Sequence, residues 1–380
     1  MLQLDSVLRL GKSTGQGREK VRRRGGDEFR DAWGVEQRVE TDYDAVIPTH
    51  ARQIDHLLAA LDSVGRQSVP PRRVIVVVDG NQQAAAELRR RSLGIDVLTH
   101  SRPMGEAAAR QTGIDSATSA WVAFLDDDDL WAPRKQEVLF NYIAEHPECK
   151  AIRAGYWTFC SEDEPTSAGL FGQRIELRGD HLEDLERAVS LTSPRNDLEY
   201  LDILGRSLPM MLEFNRGVIG TTMVKRQILQ QIPHVPSGLR PAADYLLFCH
   251  VAAETEWHLV RARLEFYRLH GGQDSRVFGA AGARNILLAK KIAWENHRAR
   301  NPRPMETYGS IYADEIRTFV WAALRARQFS GALAIYREGL PLLPRAKDKV
   351  VALSPAPLVW RWRRLTRLSG HATSSEKPTW

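Results

Sequence analysis

Four consecutive aspartates, Asp126–Asp129, directly follow a short apolar run, Trp121–Leu125. Adjacent carboxylates repel one another, so such a cluster is costly unless a cation neutralises it. Oxygen ligands suit hard ions such as Mg²⁺ or Mn²⁺. Asp126 and Asp128 project the same way from an extended segment, and we therefore predict that they hold one divalent cation together. A solvated acidic turn is the alternative interpretation.

Two further polar residues could do chemistry near this cluster. Asp79 ends the β-branched run Val74–Val78. A carboxylate there could accept hydrogen bonds from a nucleoside, although an Asp-Gly pair also forms simple turns. Arg110 lies near the start of a predicted helix and could hold a diphosphate or orient the aspartates. An ordinary surface arginine is the alternative interpretation of that position.

Alternating strands and helices must position these residues. Apolar runs that are typical of buried strands alternate with segments of helical spacing from Tyr43 onwards, which predicts βαβ units. We therefore predict an α/β fold with a doubly wound, mostly parallel, Rossmann-like sheet and a helical C-terminal extension. Ligands of such sheets bind beyond the carboxyl ends of the strands. The predicted strands are 45–47, 74–78, 95–98 and 121–125.

Changes in composition along the chain predict four segments. The first has many glycines and charges and no sustained periodicity, so we interpret it as a flexible arm. The second holds the predicted sheet, the third is mostly of helical character, and the fourth is rich in Trp and Arg. Their bounds are 1–40, 41–280, 281–344 and 345–380.

The net charge of +6 over 380 residues is unevenly distributed. Residues 345–380 carry eight basic and two acidic side chains, residues 1–40 contribute +2, and the residues between them sum to −2. A uniformly basic nucleic-acid-binding domain is therefore not indicated. Within the tail, Trp360 and Trp362 alternate with arginines. That segment could lie on an anionic membrane, or it could pack on the domain as a terminal helix.

The remaining composition is that of an ordinary soluble protein, with 43% hydrophobic residues. Three cysteines without a CxxC pair indicate neither a disulfide framework nor a zinc site. No apolar run reaches the roughly 18 residues that span a bilayer, and the N-terminus lacks the pattern of a secretory signal. We expect a cytoplasmic protein, which could contact the inner face of the membrane through its tail.

Four segments of the chain carry a further pattern, namely Asp44–Thr49, Val76–Gly80, Gly105–Arg110 and Phe124–Pro133. They occur in the order that is typical of family 2 glycosyltransferases with the GT-A fold, in the nucleotide-diphospho-sugar transferase superfamily. The sequence resembles that family well over residues 43–140 and more weakly as far as about residue 275.

The resemblance implies contacts with a nucleotide-sugar donor. The turn after the first strand would contact the base and the ribose of the nucleotide. Asp79 would contact the base, and Arg110 would lie on the nucleotide side of the site. Asp126 and Asp128 match the DxD-type metal motif, which implies Mg²⁺ or Mn²⁺. His270, in a segment similar to the family's Tyr-Arg-x-His, would approach the diphosphate or metal. The donor and cofactor contacts predicted in this way are Pro48, Thr49, Asp79, Arg110, Asp126, Asp127 and His270.

The resemblance also implies a catalytic base. Asp244 matches the aspartate of the family's Glu-Asp segment, which removes the proton from the acceptor hydroxyl. Ala243 replaces the usual glutamate of that segment. The implied activity is an inverting transfer of a sugar from a nucleotide-diphosphate donor to a glycan, a lipid-linked or a small-molecule acceptor.

Two other functions remain open at this point. A non-catalytic nucleotide-sugar or carbohydrate binder would not need the carboxylate cluster together with a separate base. A sugar nucleotidyltransferase would normally carry a glycine-rich loop after the first strand, but Pro48–Arg52 contains no glycine.

Overall fold

A computed structural model describes residues 41–162, 175–190, 207–215, 217–270 and 279–355. The predicted arm, 1–40, and the part of the basic tail from 356 to 380 lie outside the described residues. What was predicted for these two segments therefore stays a prediction.

One sheet of nine strands organises the described chain. Its order is β3-β2-β1-β4-β8-β6-β9-β5, and β7 pairs with β6. The strands are β1 (Tyr43–Thr49), β2 (Arg73–Asp79), β3 (Asp96–His100), β4 (Trp121–Phe124), β5 (Leu130–Trp131), β6 (Ala151–Cys160), β7 (Leu177–Arg178), β8 (Thr222–Lys225) and β9 (Trp257–Arg268).

The first four strands are parallel to one another, as the sequence predicts. The second half is mixed, because β8 runs antiparallel to both β4 and β6 while β6 and β9 are parallel. The short β5 returns antiparallel to β9. This pairing brings the chain after β4 next to the end of β9, which is far away in sequence. The predicted α/β fold with a mostly parallel sheet is confirmed.

Twelve α-helices are described within these ranges, and most of them connect or cover the strands. The connecting helices are α1 (Ile54–Gly65), α2 (Gln82–Arg90), α3 (Glu106–Ser116), α4 (Lys135–Glu145), α5 (Leu182–Ser190), α6 (Ser207–Glu213), α7 (Arg226–Leu229) and α8 (Ala243–Glu254). The C-terminal extension consists of α9 (Gly279–His297), α10 (Met305–Arg325), α11 (Phe329–Gly339) and α12 (Ala346–Leu353).

Alternation along β1 divides the apolar residues between two layers, since successive strand side chains point to opposite faces. Val46 joins one buried cluster, whereas Ala45 and Ile47 join the other. On the first face, Gly113 of α3 lies so close to Val46 that a Cβ there would be 2.3 Å from Val46 Cγ1. The absence of a side chain at this position lets α3 pack directly on the central strand.

The C-terminal helices share a core with the sheet. Tyr312 and Ile316 of α10 are fully buried in the same cluster that contains Val46 and Leu246. The helical extension therefore packs on the α8 side of the sheet. None of the helices described here is both long enough and apolar enough to cross a membrane.

Candidate active site

Polar residues gather where β1, β2 and β4 end. Because the three strands are parallel and in register, with Thr49 opposite Val78 and Val46 opposite Phe124, their carboxyl ends share one edge. The acidic residues Asp126–Asp129 follow β4 at this edge. The sheet thus places the three strand ends that were selected from the sequence side by side.

Asp79 holds the loop that leads into α3. Its carboxylate accepts backbone hydrogen bonds from Met104 (2.8 Å) and Gly105 (2.7 Å), and His100 Nδ1 lies 2.7 Å away. Burial alone would raise the pKa of Asp79, but these three hydrogen bonds together lower it. The side chain therefore shapes the start of α3, and its contact with a nucleotide base stays a prediction.

Thr49 ties the first strand to the acidic turn. Its hydroxyl donates a hydrogen bond to the Asp127 carboxylate and accepts one from the backbone N–H of Ala51 at 2.7 Å. Burial, followed by the charge of Asp128, raises the pKa of Asp127 to about 7. Pro48 precedes this contact on β1, so both predicted base-and-ribose residues lie beside the turn.

Asp128 and His270 meet across the site. His270 Nε2 lies 2.9 Å from Asp128 Oδ2, and both side chains are partly exposed. Arg268 holds the turn that carries Asp128. Its Nε donates a hydrogen bond to the Asp128 carbonyl and its backbone N–H donates one to Asp129 Oδ1, both at 2.7 Å. The last residues of β9 therefore position the acidic turn.

Arg110 joins three carboxylates from three different elements. Its side chain is 3% exposed. Nη2 contacts Glu106 in the first turn of α3 and lies 3.3 Å from Asp126 Oδ1. Nη1 lies 2.7 Å from Asp244 Oδ1 at the start of α8. Arg110 thus contacts two of the predicted aspartates, and both roles predicted for it stay predictions.

The charges around Arg110 do not cancel, since one guanidinium faces three carboxylates. Burial raises the pKa of Asp126 well above its ordinary value, and the charge of Glu106 raises it further. Burial also raises the pKa of Asp244, to about 7, with Arg110 opposing and Glu106 reinforcing the change. A carboxylate with such a pKa is suited to accept a proton near neutral pH.

Two groups of donors at the site could hold a divalent cation. Asp128 and His270 form one, with an oxygen and a nitrogen ligand within 2.9 Å of each other. In the other, Glu106, Asp126 and Asp244 bring one oxygen each within 4.8 Å of the rest. The predicted ligands Asp126 and Asp128 thus have different partners, and their sharing of one ion stays a prediction. Because Arg110 already supplies a cation to the second group, the first fits a metal better.

Sequence reasoning missed Glu106 and Arg268. Glu106 lies four residues before Arg110, the spacing that joins charged side chains on one helix face, and this was the available signal. Arg268 stands within the Tyr-Arg-x-His segment, but its contact with the acidic turn depends on strand pairing far along the chain. Ala243, which replaces the usual glutamate, is buried.

Comparison with known proteins shows which family this chain resembles. Residues 44–186 match the model of glycosyl transferase family 2. This part of the chain is therefore similar to the domain of family 2 glycosyltransferases.

Curated relatives share the glycosyltransferase domain at low identity. The chain is similar to an uncharacterized glycosyltransferase of Haemophilus influenzae, with 25% identity over 129 residues, covering 32% of this chain and 44% of the relative. It is also similar to an uncharacterized glycosyltransferase of Rickettsia bellii, with 31% identity over 104 residues, covering 27% of this chain and 15% of the relative. The chain thus spans less than half the length of these relatives.

Solved structures were also compared with this chain, and they cover a larger part of it. TarS of S. aureus matches 87% of this chain and 54% of its own with a TM-score of 0.50 and 14% identity. A mannosyltransferase from Pyrobaculum calidifontis, in complex with GDP-Man and Mn2+, covers 87% of this chain and 81% of its own at a TM-score of 0.45 and 14% identity. The TarS match agrees with the GT-A fold and its helical extension.

Proposed function

We propose that this protein is an inverting glycosyltransferase that moves a sugar from a nucleoside-diphosphate donor to a hydroxyl acceptor. One observation carries the proposal. Arg110 contacts both Asp244 and Asp126, and the neighbouring Asp128 contacts His270. This arrangement provides a donor side and a separate base within one site.

On the donor side, the bond between the anomeric carbon and the diphosphate oxygen breaks, and negative charge collects on the diphosphate. A divalent cation held by Asp128 and His270 would supply a Lewis acid for that charge. Arg268 holds the backbone of Asp128 by a hydrogen bond to its carbonyl. In this proposal Thr49 and Asp127, which are hydrogen-bonded at the same turn, contact the nucleotide.

On the acceptor side, Asp244 takes the proton as the hydroxyl oxygen attacks the anomeric carbon. Arg110 fixes the direction of the carboxylate from α3. The raised pKa of Asp244 gives it affinity for the proton that the hydroxyl loses. Attack from the face opposite the leaving diphosphate inverts the anomeric centre.

The test is release of nucleoside diphosphate from a panel of UDP-, GDP- and dTDP-sugars with Mn²⁺, without acceptor and with simple sugar acceptors. We expect one donor to be consumed by the wild type but not by Asp244→Asn. If the wild type binds a nucleotide sugar and releases no diphosphate with any acceptor, the chain is a binding protein and the proposal is wrong. An anomer determination by NMR on the product tests inversion.

A further inference from the structure

The last described helix, α12, carries an apolar stripe on its exposed side. Val350 is 65% exposed and Leu353 is 50% exposed, and Ala346 is exposed as well. At 3.6 residues per turn these three side chains are neighbours around the helix, within about 40° of Ala346 on either side. Single exposed apolar residues are ordinary, but here two large ones adjoin each other.

A lysine stands on each side of this stripe. Around the helix the order of exposed residues is Lys349, Leu353, Ala346, Val350 and Lys347, across an arc of about 160°. We call these five residues the α12 face. Lysine stems can lie along an apolar surface while their ammonium groups reach outward. The α12 face therefore has the charge arrangement of a helix that lies in a lipid interface.

The opposite side of α12 is fixed to the protein. Asp348 is 2% exposed and pairs with Arg345 at 2.7 Å, and Ala352 is fully buried. Asp348 also lies against Gly309 of α10, where a Cβ would be 2.5 Å from its carboxylate oxygen. The acidic residue of the helix is thus buried and neutralised, so it does not oppose the charge of the α12 face.

We propose that the α12 face docks on an anionic lipid bilayer. Its two lysines are complementary to anionic headgroups, and its central stripe fits the apolar layer beneath them. The 25 residues that follow, 356–380, add five basic and one acidic side chain and three tryptophans. A nucleic acid would favour a basic centre, whereas the centre of this face is apolar.

Vesicle flotation of the full chain tests the proposal. We expect binding to phosphatidylcholine vesicles that contain about one third phosphatidylglycerol, and none to phosphatidylcholine alone. Each basic residue near such a surface contributes about fivefold in affinity, so Lys347→Glu with Lys349→Glu should weaken binding by at least about tenfold. Val350→Glu with Leu353→Glu should weaken it to a similar extent.

A control pair carries the same added charge elsewhere. Ala86 and Leu93 are also exposed, so Ala86→Glu with Leu93→Glu should bind as the wild type does. Thermal unfolding checks that each variant is folded. The proposal is overturned if the wild type does not float, or if Val350→Glu with Leu353→Glu floats as the wild type does.

Discussion

Arg110 Nη1 lies 2.7 Å from Asp244 Oδ1 and thereby joins α3 to α8 at the centre of the site. Helix α3 lies in the segment that matches the family model, whereas α8 lies in the second half of the chain. The guanidinium is almost fully buried, whereas the Asp244 carboxylate keeps 23% of its surface exposed. The proposed base is thus held from inside the protein and reached from outside.

Removing the base should separate catalysis from binding. Asp244→Asn keeps the shape of the side chain but cannot take a proton, so we expect transfer to fall by a factor on the order of 10²–10⁴. The affinity for nucleoside diphosphate, measured by titration calorimetry, should change little. Transfer near the wild-type rate would show that another residue is the base.

The Asp128–His270 pair should control metal-dependent donor binding. Asp128→Ala and His270→Ala should each weaken Mn²⁺-dependent binding of a nucleoside diphosphate, because each removes one ligand of the proposed ion. Titration calorimetry with and without EDTA measures the effect. Asp115→Ala removes an exposed carboxylate from α3 and serves as the control. Unchanged Mn²⁺ dependence in both site variants would contradict the proposed ligands.

The rate of transfer should depend on pH through Asp244. Its pKa is raised to about 7, and a base must be deprotonated, so kcat/KM should rise as pH increases through about 7. Glu106 contributes to the raised pKa through its charge. In Glu106→Gln the rise in kcat/KM should therefore occur at lower pH. A shift of that rise to higher pH would refute the electrostatic role of Glu106.

Gly113 should be essential for packing of α3. In Gly113→Ala the new methyl group would lie 2.3 Å from Val46 Cγ1, and a β-branched residue in the central strand cannot move away easily. We expect a loss of about 1–3 kcal/mol in unfolding free energy, measured by urea denaturation. Gly65→Ala is the matched control, since nothing lies within 4 Å of that added methyl, and its stability should not fall.

Acid should destabilise the fold through a buried histidine pair. His250 Nδ1 and His297 Nε2 are 2.6 Å apart, and burial lowers the pKa of both, that of His250 to about 3. Because the unfolded chain binds these protons near pH 6.5, stability should fall as pH decreases below that value. For His250 the loss at pH 5 is about 2 kcal/mol. In His250→Asn the pH dependence of urea unfolding should become shallower.

Local patterns were sufficient for the first half of the sheet. The continuous β-branched run before Asp79 predicts the second strand as a buried parallel strand, and the apolar run before Asp126 predicts the fourth. The ten-residue β6 was not predicted, because Arg153 and Gly155 interrupt its apolar pattern. Its pairing with β9 is a long-range contact that no local spacing encodes.

The sequence was sufficient to predict which residues lie near one another, but not which of them are in contact. The sequence predicted Asp126, Asp128, Arg110, Asp244 and His270 as members of the site, and the structure brings them to one edge of the sheet. Their partners were not predictable, because the contacts of Arg110 with Asp244 and of Asp128 with His270 depend on how α8 and β9 pack.

The position of β9 also limits which truncated fragments of the chain could keep the whole candidate site. The family model ends at residue 186, whereas Asp244 begins α8 and His270 follows β9. A fragment cut at the family boundary would keep the aspartates and Arg110 but would lose both the proposed proton acceptor and the histidine. The proposed catalytic unit is therefore larger than the segment by which the family is recognised, and we expect a minimal active version to extend past residue 270.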